Sequence, residues 1–155
     1  MGVVISYAET DADVAEIHRL MMVIGLPLAF LPLDAKKCMS EVYRVTHHEV
    51  AIVARAGNGE MIGGLGLIKV TMTPWWSAHT YSYFTNRWFG VLPQWRKTSA
   101  CAALLAEATA IAAANDTKFI LHREPRLRHE RIAAADAIPA ERLNLGANAT
   151  ALRQE

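Results

Sequence analysis

The sequence predicts a mixed α/β fold, an α+β arrangement with a central, mostly antiparallel sheet flanked by helices. Three observations carry that expectation. Strand-like and helix-like segments follow one another in the order β α α β β β α β; a Gly57-Asn58-Gly59 turn joins two of the strand-like runs; and Thr98 to Asn115 is almost wholly alanine, leucine and isoleucine. The 155 residues suit one domain with one core. Apolar residues make up 52% and charged residues 20%, which excludes a disordered or low-complexity chain.

Val3 to Tyr7 is a short β-rich run. Thr10 or Asp11 then offers an N-cap ahead of Val14, Ile17, Leu20, Met21 and Ile24, whose spacing is helical, and Gly25 supplies the stop. Asp34 caps a second helix to about His47, with Cys38, Val42 and Val45 on one face. Val50 to Ala56 and Met61 to Thr73 are strands across the Gly57-Asn58-Gly59 hairpin turn. Pro74 ends the second of them, and after the aromatic loop Trp75-Trp76-Ser77-Ala78-His79 a strand from Thr80 to Leu92 returns antiparallel to it. Pro93 stops that strand. The alanine-rich helix that follows is apolar on most faces and is expected to be largely buried. Lys118 to Leu121 gives one more short strand, and Arg126 to Ala135 a short helix in a tail of little periodicity. No internal repeat is visible, which excludes solenoids.

Cys38 and Cys101 cannot form a disulfide framework, and no Cys/His spacing suits a metal, so a reducing, cytoplasmic setting is the default. Leu20 to Leu33 holds no charge, yet it is too short to span a bilayer and contains Gly25, Pro27 and Pro32. As a helix end plus an apolar loop it has three uses open to it: covering a ligand cleft, packing on a partner subunit as in a homodimer, or closing the core. Charge is uneven along the chain. Residues 1–60 carry eight acids and five bases, whereas residues 61–106 carry Lys69, Arg87, Arg96 and Lys97 and no acid. Such a stretch suits an anionic ligand, although it is too thin for a duplex DNA track. Trp75, Trp76, Trp88 and Trp95 invite a base-stacking reading, which without a basic track leaves nucleic acid a lesser alternative.

The junction from Phe89 to Leu105 concentrates the chemistry. A strand runs into the basic turn Arg96-Lys97 and then into a helix that opens on Thr98, Ser99, Ala100, Cys101 and Ala102, all small. A helix N-terminus presents unpaired N–H groups and partial positive charge, and small side chains let a phosphate reach the backbone. The pattern therefore reads as a phosphate or pyrophosphate cradle, with an ordinary capped helix as the alternative.

These residues resemble the GNAT superfamily of acyl-CoA-dependent N-acyltransferases. Val91-Leu92-Pro93 matches the family's V-x-P strand end, Arg96 opens its Q/R-x-x-G-x-G/A loop, and Leu104-Leu105 falls at its Leu-Leu pair. The segment PWWSAHTYSYFTNRWFGVLPQWRKTSACAALLAEA is similar to GNAT-like proteins often encoded by phages and prophages. The resemblance implies a GNAT-like domain core over residues 1–121, with 122–155 a divergent C-terminal segment of the same domain. It implies acetyl-CoA or another acyl-CoA as cofactor, held by Arg96, Lys97, Thr98, Ser99, Ala100, Cys101 and Ala102, with a backbone N–H near Val91 on the thioester oxygen. The implied reaction is acetyl transfer to a primary amine by direct attack.

Ser99 and Cys101 stand where the family has glycine, which the cradle tolerates only if φ stays negative there. No Asp or Glu occurs between Glu60 and Glu107, so the fourth strand has no carboxylate base. The remaining candidates for acid and base are His79, Tyr81, Tyr83 and His122. The departures keep open an alternative of another class: a catalytically inactive GNAT-fold binding protein or phage-associated interaction module.

Overall fold

The computed structural model describes residues 2–24 and 32–123. The expectations for the 25–31 part of the apolar loop and for the segment beyond Arg123, including the Arg126 to Ala135 helix, lie outside the described residues. The elements are β1 (Val3–Tyr7), α1 (Asp11–Ile24), α2 (Ala35–His48), β2 (Val50–Ala56), β3 (Met61–Met72), β4 (Tyr81–Val91), α3 (Ala100–Ala114) and β5 (Phe119–Ile120). They form a five-stranded sheet in the order β1-β2-β3-β4-β5. The first three pairings are antiparallel, and β4 with β5 is parallel. The α/β class and the order of elements agree with the reading from sequence.

Local chemistry explains the element ends. Thr10 and Asp13 cap α1 reciprocally: the Asp13 N–H donates to Thr10 Oγ1 at 3.1 Å, and the Thr10 N–H donates to Asp13 Oδ2 at 3.0 Å. Asp34 caps α2 by accepting the Lys37 N–H at 2.9 Å. The β2–β3 turn closes through the Gly59 N–H on the Ala56 carbonyl and the Glu60 N–H on Asn58 Oδ1.

Two glycines of β3 place the helices on opposite faces. A Cβ on Gly63 would meet Leu104 of α3 at 3.3 Å, and a Cβ on Gly64 would meet Leu20 of α1 at 3.8 Å. Neighbouring residues of a strand point to opposite faces, so α1 lies on one side and α3 on the other. The core comprises Ile17 and Leu20 of α1, Val42 and Val45 of α2, Leu104 of α3, and the β2 and β3 residues Ile52, Ile62, Leu65 and Leu67. Across the sheet edge the Tyr7 hydroxyl donates to the Glu107 carboxylate, joining β1 to α3, and that bond pushes the phenol pKa up.

One expectation is corrected. The alanine-rich helix buries a single stripe, Ala100, Leu104, Ala108 and Ala112, and leaves its other faces exposed or half-buried. The cause is its composition: an exposed alanine methyl costs little, so an apolar helix made of alanine does not need covering on every side.

Candidate active site

The site forms where β4 parts from β5. Only Phe84 and Thr85 of β4 pair with β5, opposite Phe119 and Ile120. Side chains finish the seam: Thr85 Oγ1 donates to the Ile120 carbonyl at 2.7 Å, and Thr117 Oγ1 donates to the Ser82 carbonyl at 2.7 Å. At the parting point the Asn86 carboxamide stands in for a strand. Its Nδ2 donates to the His122 carbonyl at 3.0 Å and its Oδ1 accepts the His122 N–H at 2.7 Å. Beyond Asn86, no described strand lies on that side of β4.

A bulge accompanies the parting. Gly66 pairs with Trp88 and Leu67 with Asn86, which leaves Arg87 without a cross-strand partner. Trp88 lies flat on Gly66, where a Cβ would come within 2.6 Å of the indole. The Leu92 N–H donates to the Ile62 carbonyl on the β3 side, so alternation turns the N–H groups of Val91 and Phe89 toward the open edge. Arg96 reaches back to the same edge, its Nε donating to the Val91 carbonyl at 3.1 Å.

The turn into α3 follows directly. Pro93–Trp95 forms one 3₁₀ turn, and Arg96, Lys97, Thr98 and Ser99 are exposed ahead of Ala100. The Arg96 and Thr98 N–H groups are spent on Pro93 and Trp95, the Ala100 N–H meets Thr98 Oγ1 at 3.3 Å, and the Ala103 N–H begins the helix ladder on Ser99. Among the described residues, no acceptor meets the N–H groups of Lys97, Ser99, Cys101 or Ala102. Ser99 has φ −70°, and Asp116 is the one non-glycine residue of positive φ among those described, so neither Ser99 nor Cys101 needs glycine's freedom. The turn's donors, small side chains and backbone thus fit a pyrophosphate.

Of the catalytic candidates, His122 alone stands at the parting point, tied there by Asn86. His79 and Tyr81 lie at the opposite end of β4, about 30 Å from Val91 by strand rise. Tyr83 stacks on Tyr81 with ring centroids 5.8 Å apart, and Tyr81 donates to Met72 Sδ. His79 and Tyr81 line a groove of about 590 Å³ at the β3–β4 hairpin tip, beside Trp75 and Trp76, whereas Tyr83, opposite Val70, lies between that tip and the β5 pairing.

Reading the sequence missed Asn86 and Glu41, and it counted Arg87 only as one of the bases of an acid-free stretch. The fourth strand has no acid of its own, but α2 brings one to it: Glu41 Oε1 lies 2.9 Å from Arg87 Nε and 2.8 Å from Arg44 Nη2. The Arg44 hydrogen bond, with the charges of both arginines, outweighs burial and holds the Glu41 carboxyl below its ordinary pKa. Glu41 is therefore an anchor for Arg87 and a poor base. The acid-free stretch that the sequence displays was the available signal; the pairing with Glu41 depends on how α2 packs. Among the described residues, no cluster of His, Cys, Asp and Glu could hold a metal ion, and no helix is long and apolar enough to cross a membrane.

No protein-family profile matches the chain, and no curated protein matches it in sequence. Solved structures do match. The aminoglycoside antibiotic 6'-N-acetyltransferase AAC(6')-Ih from Acinetobacter baumannii is 13% identical over 86% of each chain, with a TM-score of 0.63. A GNAT family acetyltransferase from Staphylococcus aureus is 16% identical over 81% of this chain and 90% of its own, with a TM-score of 0.58. The chain has the fold of the GNAT acetyltransferases. A third GNAT-fold match is AAC(6')-Iy in complex with the bisubstrate analogue CoA-S-monomethyl-acetylneamine, 13% identical over 87% of this chain and 86% of its own, with a TM-score of 0.62. At these identities the likeness is one of fold.

Proposed function

We propose that the protein is an acyl-CoA-dependent N-acyltransferase that transfers an acetyl group to a primary amine. One observation carries this reading: among the described residues, the N–H groups of Lys97, Ser99, Cys101 and Ala102 have no acceptor, and they follow directly on a strand edge, Arg87 to Val91, that has no pairing strand. The arrangement joins an anion cradle to a row of main-chain donors and acceptors, the two features that a nucleotide thioester with an amide-bearing arm requires.

In this reading Arg96 to Ala102 hold the pyrophosphate, and Val91 and Phe89 offer N–H groups to the pantetheine amides. Asn86 and His122 then line the thioester end. Val91 lies five residues, about 16 Å of strand, from Asn86, so its part shifts from the thioester oxygen to the arm. The acyl-CoA supplies an activated carbonyl: the amine lone pair forms the C–N bond, the C–S bond breaks, and the thiolate carries away the electron pair. His122 takes the proton that the attacking nitrogen sheds, directly or through one water, and returns one to the thiolate.

A second reading, a catalytically silent GNAT-fold binding protein, is favoured by the carboxylates, since Glu41 is held by two arginines and no acid lies on β4. Two measurements separate them. At one hundred times its dissociation constant, acetyl-CoA should stabilise the chain by about 2.7 kcal/mol in a thermal shift assay. Acetyl-CoA with a primary amine should then release free thiol, and His122→Ala should slow that release about 100-fold without changing the shift. A chain that neither shifts nor releases thiol belongs to the silent, interaction-module reading; a shift without thiol release for any amine keeps the CoA site and discards the transfer.

A further inference from the structure

A second cavity, of about 370 Å³, lies between the start of α2 and the β4 bulge, lined by Asp34, Lys36, Lys37, Ser40, Glu41 and Arg87. Its charges do not balance. Both acids are already committed: Asp34 Oδ1 accepts the Lys37 N–H at 2.9 Å, and Glu41 Oε1 sits between Arg44 at 2.8 Å and Arg87 at 2.9 Å. The cations are less committed. Arg87 uses only Nε on Glu41, its side chain is 54% exposed, and among the described residues no carboxylate pairs with Lys36 or Lys37. A guanidinium fixed through Nε presents its two remaining nitrogens as a fork that matches an oxyanion. Arg87 also follows Asn86 directly in the chain, so the fork starts one residue from the point where β4 and β5 part.

We propose that this cavity binds an oxyanion carried by the acceptor itself, so that the acceptors are amines bearing a carboxylate or a phosphate. The inference rests on the acyltransferase reading above. An ammonium drawn among Lys36, Lys37 and Arg87 meets like charge that Asp34 and Glu41 only partly offset, and an oxyanion on the acceptor offsets the rest at the level of binding. A polycation gains no such anchor and meets the same repulsion with each of its ammonium groups.

The experiment uses the full chain and follows thiol release from acetyl-CoA with four acceptors: propylamine, β-alanine, phosphoethanolamine and the aminoglycoside kanamycin. At least one of the two anionic amines should exceed both propylamine and kanamycin in kcat/KM by about tenfold or more. Whichever of the two is preferred identifies the oxyanion. Arg87→Gln should erase that preference mainly through KM, and Lys36→Gln with Lys37→Gln should reduce it while leaving the CoA thermal shift intact. Equal rates for all four amines, or a preference for kanamycin, in a chain that CoA still stabilises would overturn the inference and spare the acyltransferase reading. If CoA gives no shift, titration of the protein with phosphoethanolamine and with β-alanine still reads the cavity. Saturable binding lost in Arg87→Gln supports the oxyanion site, and no saturable binding rejects it.

Discussion

Glu41 shows how one carboxylate ties α2 to β4. Its depressed pKa means that the unfolded chain binds its proton more tightly than the folded one. Its contribution to stability is therefore whole above the ordinary value of 4.5 and is lost as pH falls through the lower, folded value. Asp13 behaves likewise: burial alone would raise its pKa, but the N–H groups of Glu9 and Thr10, the Thr10 hydroxyl and the Arg55 charge bring it down. Glu41→Gln should thus lower stability at neutral pH by up to about 1 kcal/mol, since the pairs are partly exposed. It should also flatten the decline in stability below pH 4.5 without abolishing it, Asp13 remaining. Urea unfolding at pH 7 and between pH 3 and 4.5 checks both statements, and a decline as steep as in the parent chain counts against the Glu41 pairs. At this scale the sequence was least informative. It displays the charge of Arg87 and the amide of Asn86, but neither the partner that α2 supplies nor the main chain of His122 that Asn86 holds can be read from nearby residues.

At the scale of elements, the junction between β4 and α3 was legible because its signals are local. Pro93 ends the strand, small residues open the helix, and basic residues stand between them. The helix itself was read as too buried, because composition reports how apolar a helix is and not how few of its faces need a partner. The cradle makes a prediction in which stability and binding move in opposite directions. Ser99 precedes α3 and makes no side-chain capping bond. Ser99→Asp places a negative charge beside the unspent N–H groups and the positive end of the helix, which should stabilise the protein by about 0.3–1 kcal/mol. The same charge competes with a pyrophosphate for those donors, and the dissociation constant for CoA should rise about tenfold or more. Thermal unfolding without ligand and calorimetric titration with CoA measure the two effects. A gain in stability with undiminished affinity would move the phosphate site away from α3.

For the molecule as a whole, the antiparallel part of the sheet was legible and the parting of β4 from β5 was not. Antiparallel neighbours here are signalled by the turn or loop that joins them, as in the run from β2 through β4. A parallel partner arrives only after a helix, and nothing in a two-residue strand says which part of β4 it meets. Yet that choice sets the function proposed, since it leaves one half of β4 paired and the other with no partner among the described residues. Hydrogen exchange reads the division directly. With saturating acetyl-CoA, the amides of Phe89, Val91, Lys97, Ser99, Cys101 and Ala102 should exchange at least about tenfold more slowly, because bound ligand protects donors that have no acceptor among the described residues. The tip from Thr73 to Thr80 should be unchanged, even though Trp75 and Trp76 there are 96% and 73% exposed and make it the most obvious apolar surface. Protection at the tip with none at the turn would place the ligand at the wrong end of the strand for His122, and the chemistry would then belong to His79, Tyr81 and Tyr83.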